Sequence, residues 1–248
     1  MNVSGISLSL KGVNILSQLA GFLMGSAGEK QYQDSINDIK KNGHERLGLM
    51  SSWAYLDDPK RLTFTLARYK FVAKMVGGKD RVLEMGCGDA FASRIVQQAV
   101  GHLVAVDFDS SFVADANERM SNRWPFTCFK HDALVAPVPG IFDAAYSLDV
   151  LEHIPKISER IFLENLVASL HEHGVAIIGM PSLQSQVYAS SQSKQGHINC
   201  KDQNDLRILM QDYFHHVFMF SMNDEIVHTG FHEMSHYNIA LCCEKKIG

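Results

Sequence analysis

The spacing of apolar residues along the chain changes near residue 76 from a helical rhythm to an alternation of short strands and helices. Before this point, residues 61–76 have the periodicity of an amphipathic helix, and two glycines follow that end it. After it, short apolar runs and helical stretches follow one another. We therefore predict an N-terminal arm and helical cap over residues 1–75 and a core domain over residues 76–248.

The core domain begins with a regular order of strands and helices. A β-α-β-α order is typical of a parallel sheet with helices on both faces. We predict strands over residues 81–85, 103–106, 126–129, 142–147 and 175–180, with helices over residues 91–100, 110–120 and 157–170.

The last third of the chain follows a different pattern. Residues 184–196 are polar and predict a mobile loop or a short helix, and residues 202–213 predict a helix. Two further apolar runs, residues 217–221 and 236–244, raise the number of predicted strands to seven. The predicted fold class is α/β: a Rossmann-like, doubly wound, mostly parallel sheet with an antiparallel last strand and an N-terminal helical extension.

Composition narrows the class of protein. The chain has 248 residues, of which 46% are hydrophobic and 20% charged, as is usual for a globular protein with a sizeable core. Its net charge is -4 and it has no long basic run, so the sequence lacks the positive charge that is typical of a protein that binds nucleic acid. The five cysteines are odd in number and lack C-x-x-C spacing, which indicates reduced thiols of a cytoplasmic protein.

Residues 13–25 are apolar enough to resemble the hydrophobic region of a signal peptide. Only Lys11 precedes them as a basic residue, and Gln18 interrupts a run that is too short to span a bilayer. We predict a loosely ordered arm or an amphipathic helix here, and no transmembrane helix.

The sharpest motif is V-L-E-M-G-C-G-D-A at residues 82–90, where the first core strand passes into a helix. Gly86 and Gly88 leave the backbone open to a ligand, and the start of the helix offers free N–H groups. The loop differs from the dinucleotide fingerprint G-x-G-x-x-G because its sixth position is Phe91. Glu84 at the strand end is poorly placed beside a pyrophosphate, but it suits a ligand that carries an ammonium group.

Acidic residues at the ends of the next two strands complete a nucleoside site. Asp107 ends the second strand, and its carboxylate can accept hydrogen bonds from both hydroxyls of a ribose. Asp132 follows the third strand and can accept from an adenine amino group, while Phe108 can flank the ring. Ligands of such sheets bind outside the carboxyl ends of the strands, where these residues converge.

Together these residues resemble the class I S-adenosylmethionine-dependent methyltransferases. The resemblance covers roughly residues 60–245 and includes the run at residues 142–154, which contains L-E-H; Ala90 stands where the family usually has a third glycine. It implies S-adenosylmethionine as the cofactor. The residues expected to bind it are Glu84, Gly86, Cys87, Gly88, Asp107, Phe108, Asp132, Ala133 and Leu148.

The resemblance also implies methyl transfer to an oxygen or nitrogen of a small-molecule acceptor. An NAD-dependent dehydrogenase is disfavoured by Phe91 and Glu84. A protein that binds the cofactor for regulation or assembly, without transferring a methyl group, remains an alternative.

The segment after the fourth strand offers candidate chemistry. If it is helical, Asp149, Glu152 and His153 share one face, and their side chains suit a divalent metal. The segment is similar to the E-x-x-E-H segment of ubiquinone-type O-methyltransferases, some of which bind magnesium. Glu152 and His153 alternatively only shape the site. We assign no metal ligand here and take His153 as a candidate for proton removal.

Further histidines follow downstream. The spacing of His228, His232 and His236 would align them on a helix, but Gly230 and the strand-like surroundings argue against one. They are predicted to form the wall or lid of an acceptor pocket, with His197 and His228 as candidate bases. Each is alternatively a structural histidine.

The acceptor pocket is expected between residues 184–200, residues 223–236 and the helices around Trp53. Trp53, Tyr55 and Tyr69 precede the core, where helices of the resembled family commonly cover the acceptor. Aromatic rings can stack on a planar or sugar-like substrate, and core packing explains them equally well.

Overall fold

The computed structural model describes residues 29–246. The chain divides into two compact units, residues 1–46 and residues 47–248. The arm predicted at residues 13–25 lies outside the described residues. Within the described part of the chain, no helix is both long and apolar enough to cross a membrane.

In the first unit, described from residue 29 onwards, one α-helix is present; the second unit contributes two helices that precede the core and then alternating strands and helices. The helices are α1 Gln33–Asn42, α2 Leu49–Asp57, α3 Pro59–Met75, α4 Ser93–Gln97, α5 Ser110–Glu118, α6 Glu159–Ala168, α7 Ser191–Gly196 and α8 Gln203–Gln211. The strands are β1 Arg81–Met85, β2 His102–Asp107, β3 Thr127–Lys130, β4 Phe142–Leu148, β5 Leu170–Pro181, β6 Phe214–Asn223, β7 Ile226–His228 and β8 Tyr237–Lys245. Short 3₁₀ turns lie at Lys30–Tyr32, Leu151–His153, Gln184–Tyr188 and His232–Met234.

The strands of the described residues form one sheet in the order β3-β2-β1-β4-β5-β8-β6-β7. The first five strands are parallel, and β8 pairs antiparallel with both β5 and β6. This confirms the predicted Rossmann-like, mostly parallel α/β sheet. The prediction of seven strands is wrong, because the described residues contain an eighth, β7. It is a three-residue partner of β6 after a turn at Asp224, too short to show an apolar alternation.

Side chains of β1 show why helices cover both faces of the sheet. Val82 faces a core cluster that contains Val72 of α3 and Val96 of α4. The next residue, Leu83, faces a second cluster that contains Leu166 of α6. Alternate residues of a strand point to opposite faces, so each apolar face needs its own layer of helices. Because the strands are parallel, their carboxyl ends lie along one edge.

Several elements differ in length from the sequence prediction, among them α4 and β5. The helix expected over residues 91–100 is only α4, because Ala90 has a φ of 52° and the chain is still turning as it leaves β1. Conversely, β5 begins earlier than expected. Its first residue, Leu170, pairs with Phe142 before the register shifts ahead of Ala144.

Candidate functional site

The loop after β1 turns sharply as it carries the chain towards α4. Gly86, Gly88 and Ala90 have φ angles of 83°, 52° and 52°, in the left-handed region that favours glycine. A Cβ at Gly86 would lie 2.3 Å from Cγ2 of Val150, so this position requires glycine for space as well as for φ. A Cβ at Gly88 would have no neighbour within 4 Å, so the backbone there faces open space.

A cavity of about 1020 Å³ lies over this loop. The ends of β1, β2 and β4 line it together with side chains of α2 and α3. A cavity of this size accommodates a nucleoside-sized ligand and a second small molecule. Eight of the nine residues expected to bind the cofactor line it: Gly86, Cys87, Gly88, Asp107, Phe108, Asp132, Ala133 and Leu148.

Asp107 presents a fixed carboxylate to this cavity. Its Oδ2 accepts a hydrogen bond from the Gly88 N–H at 2.8 Å, and its Oδ1 accepts one from the Asp109 N–H at 2.9 Å. Each oxygen keeps a second lone pair for a ligand hydroxyl. Phe108 beside it is 70% exposed, an apolar ring that a planar base would cover, and the exposed Asp132 offers a further acceptor. This set of groups fits a nucleoside.

Glu84 is the expected cofactor residue that the structure places elsewhere. Its side chain is buried, does not line the cavity, and accepts a hydrogen bond on Oε1 from the Tyr69 hydroxyl at 2.6 Å. Its other oxygen is buried without a partner in the described residues. Burial raises the pKa of Glu84 to about 7, against the opposing effect of the hydrogen bond from Tyr69. The carboxyl group therefore lies beside α3 rather than in contact with the cavity.

A second group of side chains reaches the same cavity from beyond β4 and β5. Ligand atoms of Glu152, His153 and His197 all lie within 4.8 Å of one another. Nδ1 of His153 donates to the Gly196 carbonyl at 2.9 Å, and Nδ1 of His197 contacts Oε1 of Gln186 at 2.9 Å. Each ring therefore keeps Nε2 as an acceptor.

The charge states in this cluster follow from burial. Burial, and then the negative charge of Asp149, raises the pKa of Glu152 well above its usual range. Both carboxyl oxygens of Glu152 are buried and have no partner in the described residues. Burial, and then the neighbouring His153, lowers the pKa of His197, which keeps that ring neutral near neutral pH. One buried carboxylate and two imidazoles form a donor set that suits a divalent first-row metal ion.

The face predicted to carry Asp149 together with Glu152 and His153 does not form. Only Leu151–His153 makes a 3₁₀ turn, and Asp149 precedes it with a φ of 57°. The Asp149 carboxylate instead pairs with Arg68 of α3 at 2.7 Å. Arg68 lines the cavity and lies 3.8 Å above the Tyr237 ring. No local pattern in the sequence indicates Arg68, because its partner Asp149 lies 81 residues further along the chain.

The remaining predicted pocket residues separate into two groups. Trp53 and Tyr69 line the main cavity, whereas Tyr55 does not. His228 lines no described cavity, because Nε2 bonds to the side chain of Asn223 at 2.8 Å and Nδ1 accepts from a backbone N–H within the same hairpin. A smaller cavity of about 440 Å³ is lined by His197 and by another of the predicted histidines, His236; His232 lines neither cavity.

Comparison with known proteins supports the reading of the glycine loop. Residues 82–174 match a family model described as a methyltransferase domain. The ribosomal protein L11 methyltransferase of Thermotoga neapolitana is 27% identical over 128 residues, which is 51% of this chain and 47% of that protein. The chain thus spans about half the length of this curated relative.

Solved structures show the same fold at low identity. The methyltransferase domain of bacterial CtHen1-C is 15% identical with a TM-score of 0.59, over 73% of this chain and 97% of that one. The N-methyltransferase NodS of Bradyrhizobium japonicum, solved with S-adenosyl-L-homocysteine, is 15% identical with a TM-score of 0.57, over 79% and 92%. A possible histamine N-methyltransferase of Thermotoga maritima is 14% identical with a TM-score of 0.60, over 86% and 98%.

The nucleoside-binding groups, the bare backbone at Gly88 and these comparisons agree on S-adenosylmethionine as the cofactor. Residues 82–174 thus match a methyltransferase domain, and the chain has the fold of solved S-adenosylmethionine-dependent methyltransferases.

Proposed function

We propose that this chain transfers a methyl group to an oxygen or nitrogen of a small-molecule acceptor, bound in the part of the cavity between α3 and the Leu151–His153 turn. The observation that carries the proposal is that Glu152, His153 and His197 line the same cavity as the glycine loop. A candidate proton acceptor or metal site therefore lies in the same cavity as the cofactor groups. A concave cavity of this size favours a small acceptor.

The cofactor supplies an electrophilic methyl group for an in-line displacement, and much of the acceleration comes from alignment. Gly88 and Asp107 would hold the cofactor at the strand ends. Trp53 and Arg68 line the cavity together with His153, and would orient an acceptor. An acceptor hydroxyl or amine loses a proton as it is methylated, so the site needs a group that takes the proton or stabilises the anion.

The geometry supports two roles for His153, which exclude each other because Nε2 has a single lone pair. In the first role, Nε2 takes the proton, while Nδ1 is fixed on the Gly196 carbonyl. In the second, Glu152, His153 and His197 hold a divalent ion, which would supply Lewis-acid stabilisation of the ionised acceptor. The buried oxygens of Glu152, which have no partner in the described residues, favour the second role, since a bound cation would pair with a carboxylate that is otherwise costly to bury.

A methylation screen tests the proposal. Hydroxylated and aminated metabolites are incubated with S-adenosylmethionine and Mn²⁺, with and without chelator, and products are read by the mass gain of one methyl group. The name of the curated relative makes ribosomal protein a necessary second substrate panel. We expect a small-molecule product that the His153→Ala variant does not form. Product from the protein panel alone would contradict the proposed acceptor class, and cofactor binding without any product would support the non-catalytic alternative.

A further inference from the structure

Helix α2 lies at the cavity without burying a side chain in the core. None of its residues is buried, and Leu49, Trp53 and Leu56 are 51%, 41% and 84% exposed. Nevertheless Met50 and Trp53 line the main cavity. A helix that buries no side chain gains little from the hydrophobic effect, so other contacts must keep it in place.

The start of α2 is held by an acidic side chain of the glycine loop. Oδ2 of Asp89 accepts a hydrogen bond from the Ser51 N–H at 2.7 Å, and Oδ1 accepts one from the Ser51 hydroxyl at 3.1 Å. Gly48, at the N-cap position, has no side chain to cap the helix, so Asp89 caps it from another part of the chain, together with Asp115, whose Oδ2 accepts from the Leu49 N–H at 3.3 Å. A Cβ at Gly48 would lie 2.2 Å from Cγ of Asp89, so only glycine permits this approach.

The position of this carboxylate is set by the cofactor loop itself. Asp89 lies between Gly88 and Ala90, both of which have positive φ. Its Oδ1 also accepts a hydrogen bond from the Phe91 N–H at 3.1 Å, and its carbonyl accepts one from Arg119. A change in the loop would therefore move the carboxylate, and with it the cap of α2.

We propose that Asp89 is a positioning residue that latches α2 to the glycine loop, so that an occupied cofactor site stabilises the helix over the acceptor part of the cavity. A ligand in the cavity would cover Met50 and Trp53 of α2 and would stiffen the loop that carries the latch. The cofactor would then bind before the acceptor. This inference rests on the cofactor assignment but not on the proposed acceptor or metal.

Hydrogen exchange of the α2 amides tests the latch on the whole chain. Without ligand, Asp89→Ala should raise exchange of residues 51–57 about fivefold to tenfold, the effect expected from the loss of a helix cap. Asp202→Ala is the matched control, because Asp202 caps α8 through the Asp205 N–H at 2.8 Å, and it should leave residues 51–57 unchanged. Asp89→Asn keeps one acceptor oxygen and should restore part of the protection.

Saturating S-adenosylhomocysteine provides the second arm. Bound S-adenosylhomocysteine should slow hydrogen exchange of the amides of residues 51–57 in the wild type and in Asp202→Ala. In Asp89→Ala it should slow their exchange much less. Exchange of α2 in Asp89→Ala that equals the wild type would overturn the latch. A loss of S-adenosylhomocysteine affinity of more than about tenfold in Asp89→Asn would also overturn it, because Asp89 would then act in cofactor binding itself.

Discussion

Replacement of Asp107 by Asn tests the cofactor site at its best-defined group. The carboxylate receives the Gly88 N–H on one oxygen and the Asp109 N–H on the other, which leaves one lone pair on each for the ligand. An amide has only one oxygen, so its NH₂ group would face either a backbone N–H or the ligand hydroxyls. In either orientation at least one buried hydrogen bond is lost or becomes repulsive.

A hydrogen bond to a charged group contributes about 1.5–3 kcal/mol, so Asp107→Asn should weaken S-adenosylhomocysteine binding by roughly tenfold to a hundredfold. Titration calorimetry measures the affinity, and thermal unfolding confirms that the variant is folded. Asp109→Ala is the matched control, because Asp109 caps α5 through the Ser111 N–H and does not line the cavity. A folded Asp107→Asn variant with wild-type affinity would refute the assignment of the ribose site.

Three further predictions concern the cluster of Glu152, His153 and His197, then Glu84, and then His228. Paramagnetic resonance titrations should show that the wild type binds Mn²⁺ and that His197→Ala has an affinity lower by at least about tenfold. Equal affinities would exclude His197 as a ligand. Burial raises the pKa of Glu84 to about 7, so the folded state favours the protonated form of this carboxyl group. The stability that protonated Glu84 contributes is fully present below its unfolded pKa, and it is lost as pH rises through about 7. The free energy of unfolding of the wild type, measured relative to that of Glu84→Gln, should therefore fall by on the order of 3 kcal/mol between about pH 4.5 and pH 8. Urea titrations in which the difference between the two proteins stays constant over this range would contradict the prediction. His228→Ala should leave methyl transfer and cofactor affinity within about twofold of the wild type, because both ring nitrogens of His228 form hydrogen bonds within their own hairpin. In contrast, His197→Ala should lower methyl transfer. An equal loss of methyl transfer in the two variants would contradict this difference.

The parts that could be predicted from the sequence are those whose physics is local. The glycine loop follows a strand and precedes a helix, and its positive φ angles at Gly86 and Gly88 follow from the absence of a Cβ. Asp107 lies at a strand end, so its place at the edge of a parallel sheet follows from the order of the elements. These residues line the cavity as expected.

The parts that escaped prediction depend on contacts between distant segments. Asp149 leaves the expected helical face because Arg68 pairs with it from α3. His197 joins Glu152 because the N–H groups of Ile198 and Asn199 donate to the Glu152 carbonyl, a contact that no local pattern encodes. Spacing along the chain therefore indicated that Glu152 and His153 lie close together, but it placed Asp149 beside them where the structure has His197.

The most direct test of the account is a crystal structure of the chain with S-adenosylhomocysteine and Mn²⁺. We predict the ribose hydroxyls on the Asp107 carboxylate and an anomalous manganese peak between Glu152, His153 and His197, within the same cavity. Manganese absent from these three side chains at saturating concentration would exclude the metal role of the cluster and leave His153 as the proton acceptor. A nucleoside bound away from Asp107 would contradict the central claim that the cofactor lies on the glycine loop, in one cavity with this cluster.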